Sequence, residues 1–351
     1  MPFPALPHIN IAGKQYIGRF FGLNPMKNFY NMSQTYEQFR RLFQKGHYRA
    51  AADRAGLEYA AGNKNNPFWL TRQSAALSRA GESRRALDIA RQALALQPSN
   101  PYGLLSTAEA LFGLGRFDEA LVYYEEITSD RKLSAYVHKK ILECHAAMKN
   151  WDHILQFVAT WEIPPETKYQ WQARAFAGKN RLNDAIDACH QWLKLNPDNP
   201  QALWMMTELE IQRDGLESVL SRMAKLAKIS SRPPVYKEIY ASLCKRAGKP
   251  ELALEQYAEL AQTAPDPKIH RKQAFVLAKS GRELEAIPII EELLKLNPKD
   301  IYLNRAYIPA CRRVRQLERA LQFYEELLQL NPDEKSLYGR IRNIKNLVEK
   351  K

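Results

Sequence analysis

At 351 residues the chain is longer than one compact core ordinarily supports, so two or three domains are the default expectation unless it is an open repeat array. A hydrophobic share of 45% and a charged share of 26% are ordinary for a soluble globular protein, and no apolar run is long enough to cross a membrane as a helix. The net charge of +14 is unusual and sits at the ends: residues 1–49 carry seven Lys/Arg against one acidic residue, and residues 299–351 twelve against seven. Such ends favour anionic partners, whether acidic protein, lipid or nucleic acid, by promoting encounter.

Residues 1–31 precede any periodicity and read as an irregular N-terminal arm or a short helix, with Pro2, Pro4 and Pro7 followed by the aromatic, glycine-bearing stretch Tyr16 to Pro25. Three prolines leave no unbroken apolar core, so a secretory signal is not expected. Three readings stand for the arm: lying in a groove of its own chain, docking on a partner, or disorder.

From about Met32 a repeat begins, with unit starts near 32, 67, 101, 135, 166, 200, 234, 267 and 301. The register rests on a small residue opening each unit's second helix: Ala51, Ala86, Ala120, Ala185, Ala253, Ala286 and Ala320, with Ile154 and Val219 as the exceptions. A methyl group there lets two helices approach closely, and a larger one forces repacking at about 1–3 kcal/mol. Gly81, Gly115, Gly248 and Gly281 fall between the helices of their units, and Pro98, Pro197, Pro265, Pro298 and Pro332 fall at unit ends, as cap and stop residues should. Apolar residues between them recur at helical spacing, as in Leu104, Ala108, Leu111 and Phe112. Pro288 and Pro309 lie inside expected helices and should each remove a backbone bond and bend the helix, unless those helices start later. The Pro-Pro junctions near 163–166 and 230–234 are expected hinges or subdomain borders. After Pro332, residues 335–351 read as a capping helix with Leu337, Ile341, Ile344 and Val348 on one side.

The pattern is plainest where Glu283 to Pro298 is restated by Glu318 to Pro332, so that Ala286 and Ala320 stand 34 residues apart. With a small residue opening the second helix, an aromatic or aliphatic residue four positions later and a closing proline, these blocks resemble tetratricopeptide repeats over about residues 32–334. The resemblance implies an all-α, right-handed superhelical solenoid of about nine helix-turn-helix repeats with a C-terminal capping helix. It also implies a non-catalytic scaffold or adaptor, placed in the cytoplasm, that supports assembly of a larger complex.

Catalytic motifs are missing: there is no GxGxxG, GxxxxGK, HExxH or GxSxG, and neither enzyme activity nor a cofactor is expected. Cys144, Cys189, Cys244 and Cys311 form no CxxC pair and read as reduced packing thiols. His138 and His145, seven apart with His153 nearby, share a helical face, but they lack the four closely spaced ligands of a structural zinc site.

In such arrays the first helix of each unit lines the concave face, and the resemblance therefore assigns inward positions. They include Tyr36, Glu37, Arg40, Phe68, Arg72, Arg79, Tyr102 and Glu109, then Tyr136, Lys139, Lys140, Glu143, Trp171 and Arg174. Further on come Trp204, Met205, Glu208, Glu238, Lys245, Arg246, Lys268, Arg271, Lys272, Tyr302, Arg305, Arg312 and Arg313. Rigid aromatics and guanidinium groups are the residues that anchor protein interfaces, so a protein or peptide ligand of acidic or mixed charge is expected in the groove. The basic units lack inward asparagine, which disfavours a receptor for the carboxylate tails of chaperones. Single-stranded RNA is the rival ligand, with Tyr136, Trp171 and Trp204 available to stack on bases. Against it, Glu37, Glu109, Glu143, Glu208 and Glu238 interrupt any phosphate track. Self-association through the arm or the capping helix is a further expectation.

Overall fold

The computed structural model describes residues 25–62, 65–130, 132–229, 232–263 and 266–349, and among these it holds nineteen α-helices and no strand. The chain divides into two compact units on either side of the Asn180–Arg181 bond. In the first lie α1 (Pro25–Gln44), α2 (Tyr48–Ala61), α3 (Phe68–Arg79), α4 (Ser83–Leu96), α5 (Pro101–Gly113), α6 (Phe117–Glu126), α7 (Ser134–Ala147), α8 (Trp151–Thr160) and α9 (Pro165–Gly178). The second holds α10 (Leu182–Leu195), α11 (Pro200–Asp214), α12 (Leu216–Ala227), α13 (Pro234–Arg246), α14 (Pro250–Thr263), α15 (Pro267–Lys279), α16 (Glu283–Leu296), α17 (Ile301–Arg313), α18 (Leu317–Leu330) and α19 (Lys335–Val348). Within each unit every helix packs on the next in sequence, and α3 also touches α5, as α15 touches α17. This is an all-α repeat solenoid, because each hairpin buries its apolar face only against its neighbours.

Why the hairpins nest is visible at one position. Each second helix, from α2 to α18, buries its fourth residue completely or nearly so: Ala51, Ala86, Ala120, Ile154, Ala185, Val219, Ala253, Ala286 and Ala320 are all 0–1% exposed. Where the residue is larger, the surrounding core absorbs it. Ile154 packs with Leu142, Val158 and Trp171, and Val219 with Leu203, Leu220 and Met223.

The turn inside every hairpin is closed by one residue in the left-handed region. Six are glycines, at 46, 81, 115, 215, 248 and 281, and three are Lys149 (φ 60), Asn180 (φ 59) and Arg315 (φ 57). In seven of these turns the amide after this residue reaches back over the helix end, as from Glu82 to the Leu77 carbonyl at 2.9 Å and from Gln316 to the Cys311 carbonyl at 2.7 Å, and so satisfies an orphan acceptor.

First helices are started by proline at their first position in α5, α9, α11, α13 and α15, and by side-chain caps. Asn100 accepts from the Tyr102 and Gly103 amides at 3.0 Å, and Asp300 from Tyr302 and Leu303 at 2.9 and 3.0 Å. Caps of this kind contribute about 1 kcal/mol each and set where the helix begins.

Several expectations are revised. Helix α1 starts at Pro25, within the segment read as an irregular arm or a short helix, while residues 1–24 lie outside the described residues. Near 163–166, α8 ends at Thr160 and α9 starts at Pro165, both within the first unit; Ser230 and Ser231, like Pro265, lie outside the described residues. Pro288 and Pro309 sit well inside α16 and α17, so those helices do not start late. Each proline is exposed, as is the residue four before it, Leu284 or Arg305, so the carbonyl left without a partner lies on a solvated face. All four cysteines are buried and unpaired, with burial pushing the Cys144 and Cys189 thiols up to about 12 and Cys311 to about 11. The final helix α19 buries Leu337, Ile341 and Ile344 and leaves Lys335, Arg342 and Lys345 exposed.

Candidate functional site

In the first unit, α3, α5 and α7 enclose a cavity of about 340 Å³ on their inward faces. Its floor is apolar, made by Ala75, Leu105, Leu133 and Ala135 with the rings of Tyr102 and Tyr136, and Arg72, Arg79, Lys132 and Lys139 stand around it. The buried Ser106 hydroxyl donates to the Tyr102 carbonyl at 2.7 Å and lies 3.3 Å from the Thr71 carbonyl of α3.

Arg72 is the most constrained cation. Its guanidinium lies 4.2 Å from the Phe68 ring centroid and 5.4 Å from that of Tyr102, and it donates to the Thr71 hydroxyl at 3.1 Å. Burial pushes it below the usual arginine range, opposed by the Tyr36 and Tyr102 hydroxyls. Tyr36 packs on Phe68, with ring centroids 5.9 Å apart. Across from Arg72, Tyr136 of α7 donates its hydroxyl hydrogen to Glu109 of α5, and burial together with that carboxylate raises the Tyr136 hydroxyl far above its usual range.

The inward glutamates are thereby accounted for. Glu37 pairs with Arg40 at 3.5 Å, Glu143 with Lys140 at 2.9 Å and with Lys139 at 3.8 Å, and Glu109 is held by Tyr136. Lys140 is further fixed over the Phe112 ring at 4.4 Å. In the second unit Glu208 pairs with Arg246 at 2.5 Å, Glu238 with Lys272, and Asp300 with Arg271 at 3.0 Å. Lys272 also stands 5.8 Å from the half-buried Trp204 ring, and Arg271 5.4 Å from the exposed Tyr302. Arg313 of α17 is engaged by Glu283. Among the described residues Lys268, Arg305 and Arg312 are exposed cations without an ion pair.

One sequence-derived position parts company with the groove. Trp171 is only 3% exposed and completes a core with Leu142, Ile154, Val158 and Ala175, because burying an indole outweighs showing it to solvent; Arg174 covers it at 4.4 Å. The histidines make aromatic contacts: the His138 and Trp161 ring centroids lie 3.9 Å apart, and His145 stacks on His153 at 5.1 Å and 3°. Among the described residues no cluster of three or more potential metal ligands occurs. Lys132 and Leu133, which close one end of the cavity, were not among the inward positions, since they belong to the turn before α7 and have no repeat position to betray them.

Residues 72–132, which include most of the cavity lining, match the family model described as tetratricopeptide repeat. No curated protein sequence matches the chain. Among solved structures, the chain is similar to yeast Tom70 at 13% identity, covering 92% of this chain and 97% of that one with a TM-score of 0.39. It is also similar to the P58(IPK) TPR domain at 16% identity (91% and 99% covered, TM-score 0.28) and to a tetratricopeptide repeat protein from Parabacteroides merdae at 15% (81% and 100%, TM-score 0.36). No helix among the described residues is long and apolar enough to cross a membrane.

Proposed function

We propose that this chain, a tetratricopeptide repeat protein, is a non-catalytic cytoplasmic adaptor that holds an acidic or mixed-charge protein segment on the inward faces of its first helices and so supports assembly of a larger complex. The observation that carries the reading is the cavity between α3, α5 and α7, with an apolar floor and a rim on which cations outnumber the one carboxylate, Glu109. Protein partners anchor by inserting apolar side chains into such pockets and by ion pairs at the edge. Further contacts are assigned to Tyr36, Arg174 and Trp204 and to the exposed Lys268, Arg305 and Arg312, while Arg40, Arg271 and Lys272 would contribute by exchanging a carboxylate of this chain for one of the partner.

Nucleic acid is the weaker reading. Arg40, Lys139, Lys140, Arg246, Arg271 and Lys272 are already paired with neighbouring carboxylates, so a continuous row of free cations for a phosphate backbone is lacking along the described groove positions.

Affinity purification from the native cell, comparing wild type with Ala135→Trp, tests the proposal. Ala135 is exposed at the cavity, so an indole there fills the space without burdening the core. Protein partners recovered with wild type and lost with the variant are expected; identical recovery contradicts the reading, as does recovery of RNA in place of protein.

A further inference from the structure

We propose that Arg72 is the receptor for a carboxylate side chain that arrives next to a bulky apolar residue, the apolar residue filling the cavity between α3, α5 and α7. This rests on the adaptor reading and specifies the chemistry of the partner: an internal acidic segment with an aromatic or large aliphatic anchor.

The argument begins with a charge that has no counter-charge. Among the described residues Arg72 makes no ion pair, although it is half-buried and held between the Phe68 and Tyr102 rings. Taking a guanidinium out of water costs free energy that rings and hydroxyls recover only in part, and a carboxylate recovers far more. Elsewhere in the grooves a cation with an acid in reach is paired with it, as Arg246 is with Glu208 at 2.5 Å and Arg271 with Asp300 at 3.0 Å. The acid that lines the same cavity, Glu109, is instead held by the Tyr136 hydroxyl. Arg72, whose guanidinium bonds the Thr71 and Tyr36 hydroxyls, therefore stands at a cavity wall without a carboxylate among the described residues, in an orientation that the two flanking rings fix beforehand. A planar fork immobilised in this way loses little entropy on accepting a carboxylate.

The second half of the ligand follows from the floor. A cavity of about 340 Å³ lined by Ala75, Leu105, Leu133 and Ala135 suits an apolar side chain. Arg79 and Lys132, also without ion pairs among the described residues, extend the positive field around it. The chain's own first 24 residues carry Lys14 and Arg19 and no acidic residue, so charge rules them out as this occupant.

Three fluorescent, C-terminally amidated peptides test the assignment by anisotropy: phenylalanine between two aspartates, phenylalanine between two lysines, and alanine between two aspartates. Wild type should bind the first at least about tenfold more tightly than either other, the scale of one charge-assisted contact. Arg72→Gln should erase the preference for aspartate over lysine while leaving the thermal midpoint unchanged or raised, because it removes an unpaired charge, and Arg72→Lys should restore part of that preference. Ala135→Trp should abolish binding. Undiminished aspartate preference in Arg72→Gln overturns the assignment, as does a lowered midpoint with binding intact, or no binding of any peptide by wild type at about 1 mM. If the peptides fail while Ala135→Trp still loses its cellular partner, the adaptor reading survives and only the ligand chemistry assigned here falls.

Discussion

Tyr136 of α7 donates its hydroxyl hydrogen to the Glu109 carboxylate of α5, joining two consecutive first helices across the mouth of the cavity. The bond has a structural consequence, since it ties neighbouring hairpins, and an electrostatic one, since it occupies the acid that faces the rim cations. Comparable ties recur in the second unit, between Glu208 and Arg246 and between Glu238 and Lys272, each spanning adjacent hairpins. Groove charge is thus partly consumed in holding the first helices in register.

Tyr136→Phe separates the two consequences. Loss of the hydroxyl frees Glu109 to repel an incoming carboxylate, so binding of an acidic segment should weaken by about 3–10-fold, while stability should change by no more than about 1 kcal/mol. Isothermal titration paired with chemical denaturation reads both.

Lys149 and Arg315 occupy left-handed turn positions where most hairpins have glycine. An L side chain there costs about 1–2 kcal/mol, partly offset by the extra freedom glycine gives the unfolded chain. Lys149→Gly and Arg315→Gly should therefore each stabilise by about 0.5–1 kcal/mol in urea unfolding. Asn180→Gly should gain less, because asparagine tolerates this conformation.

Gly178, at the end of α9, lies against Trp151, and a Cβ built there would run into the indole ring. Gly178→Ala must displace a large ring and should cost about 1–3 kcal/mol by denaturation, far more than a helix-end alanine would otherwise. Stability equal to wild type would show that the ring moves freely.

His145 is buried with neither ring nitrogen hydrogen-bonded among the described residues, and burial, then the neighbouring His153, lowers its pKa below the usual 6.5. The Asp118 carboxylate opposes the shift. As pH falls through that usual value, the unfolded chain takes up a proton that the folded chain refuses, so the stability present at neutral pH is lost on acidification. Thermal melts from about pH 7 to about pH 5 should show a declining midpoint, and His145→Phe should flatten the decline.

Much of the fold was legible because its decisive residues are small and evenly spaced. Ala51 through Ala320 announce the hairpins by their lack of bulk, and even Ile154 and Val219 keep the register. Turn residues such as Lys149 and Arg315 were illegible, since a long cationic side chain carries no sign of a left-handed backbone. Repeat position alone sets Arg72, Tyr102 and Tyr136 among the inward residues, and all three line the cavity. Trp171 lies in a core, since repeat position does not say whether an indole faces the groove or the next core, and Lys132 belongs to a turn, which has no repeat position. Nor does spacing reveal that Glu109 would be taken by a tyrosine, leaving Arg72 without an acid.

The most direct measurement is photo-crosslinking in the native cell, with benzoylphenylalanine placed at Tyr102 in the cavity or at Leu57, an exposed site on the second helix α2. A protein partner captured from position 102 and absent from position 57 is the predicted result. Capture from position 57 alone, or from neither position while the partner still co-purifies, would contradict the claim that the first-helix groove holds it.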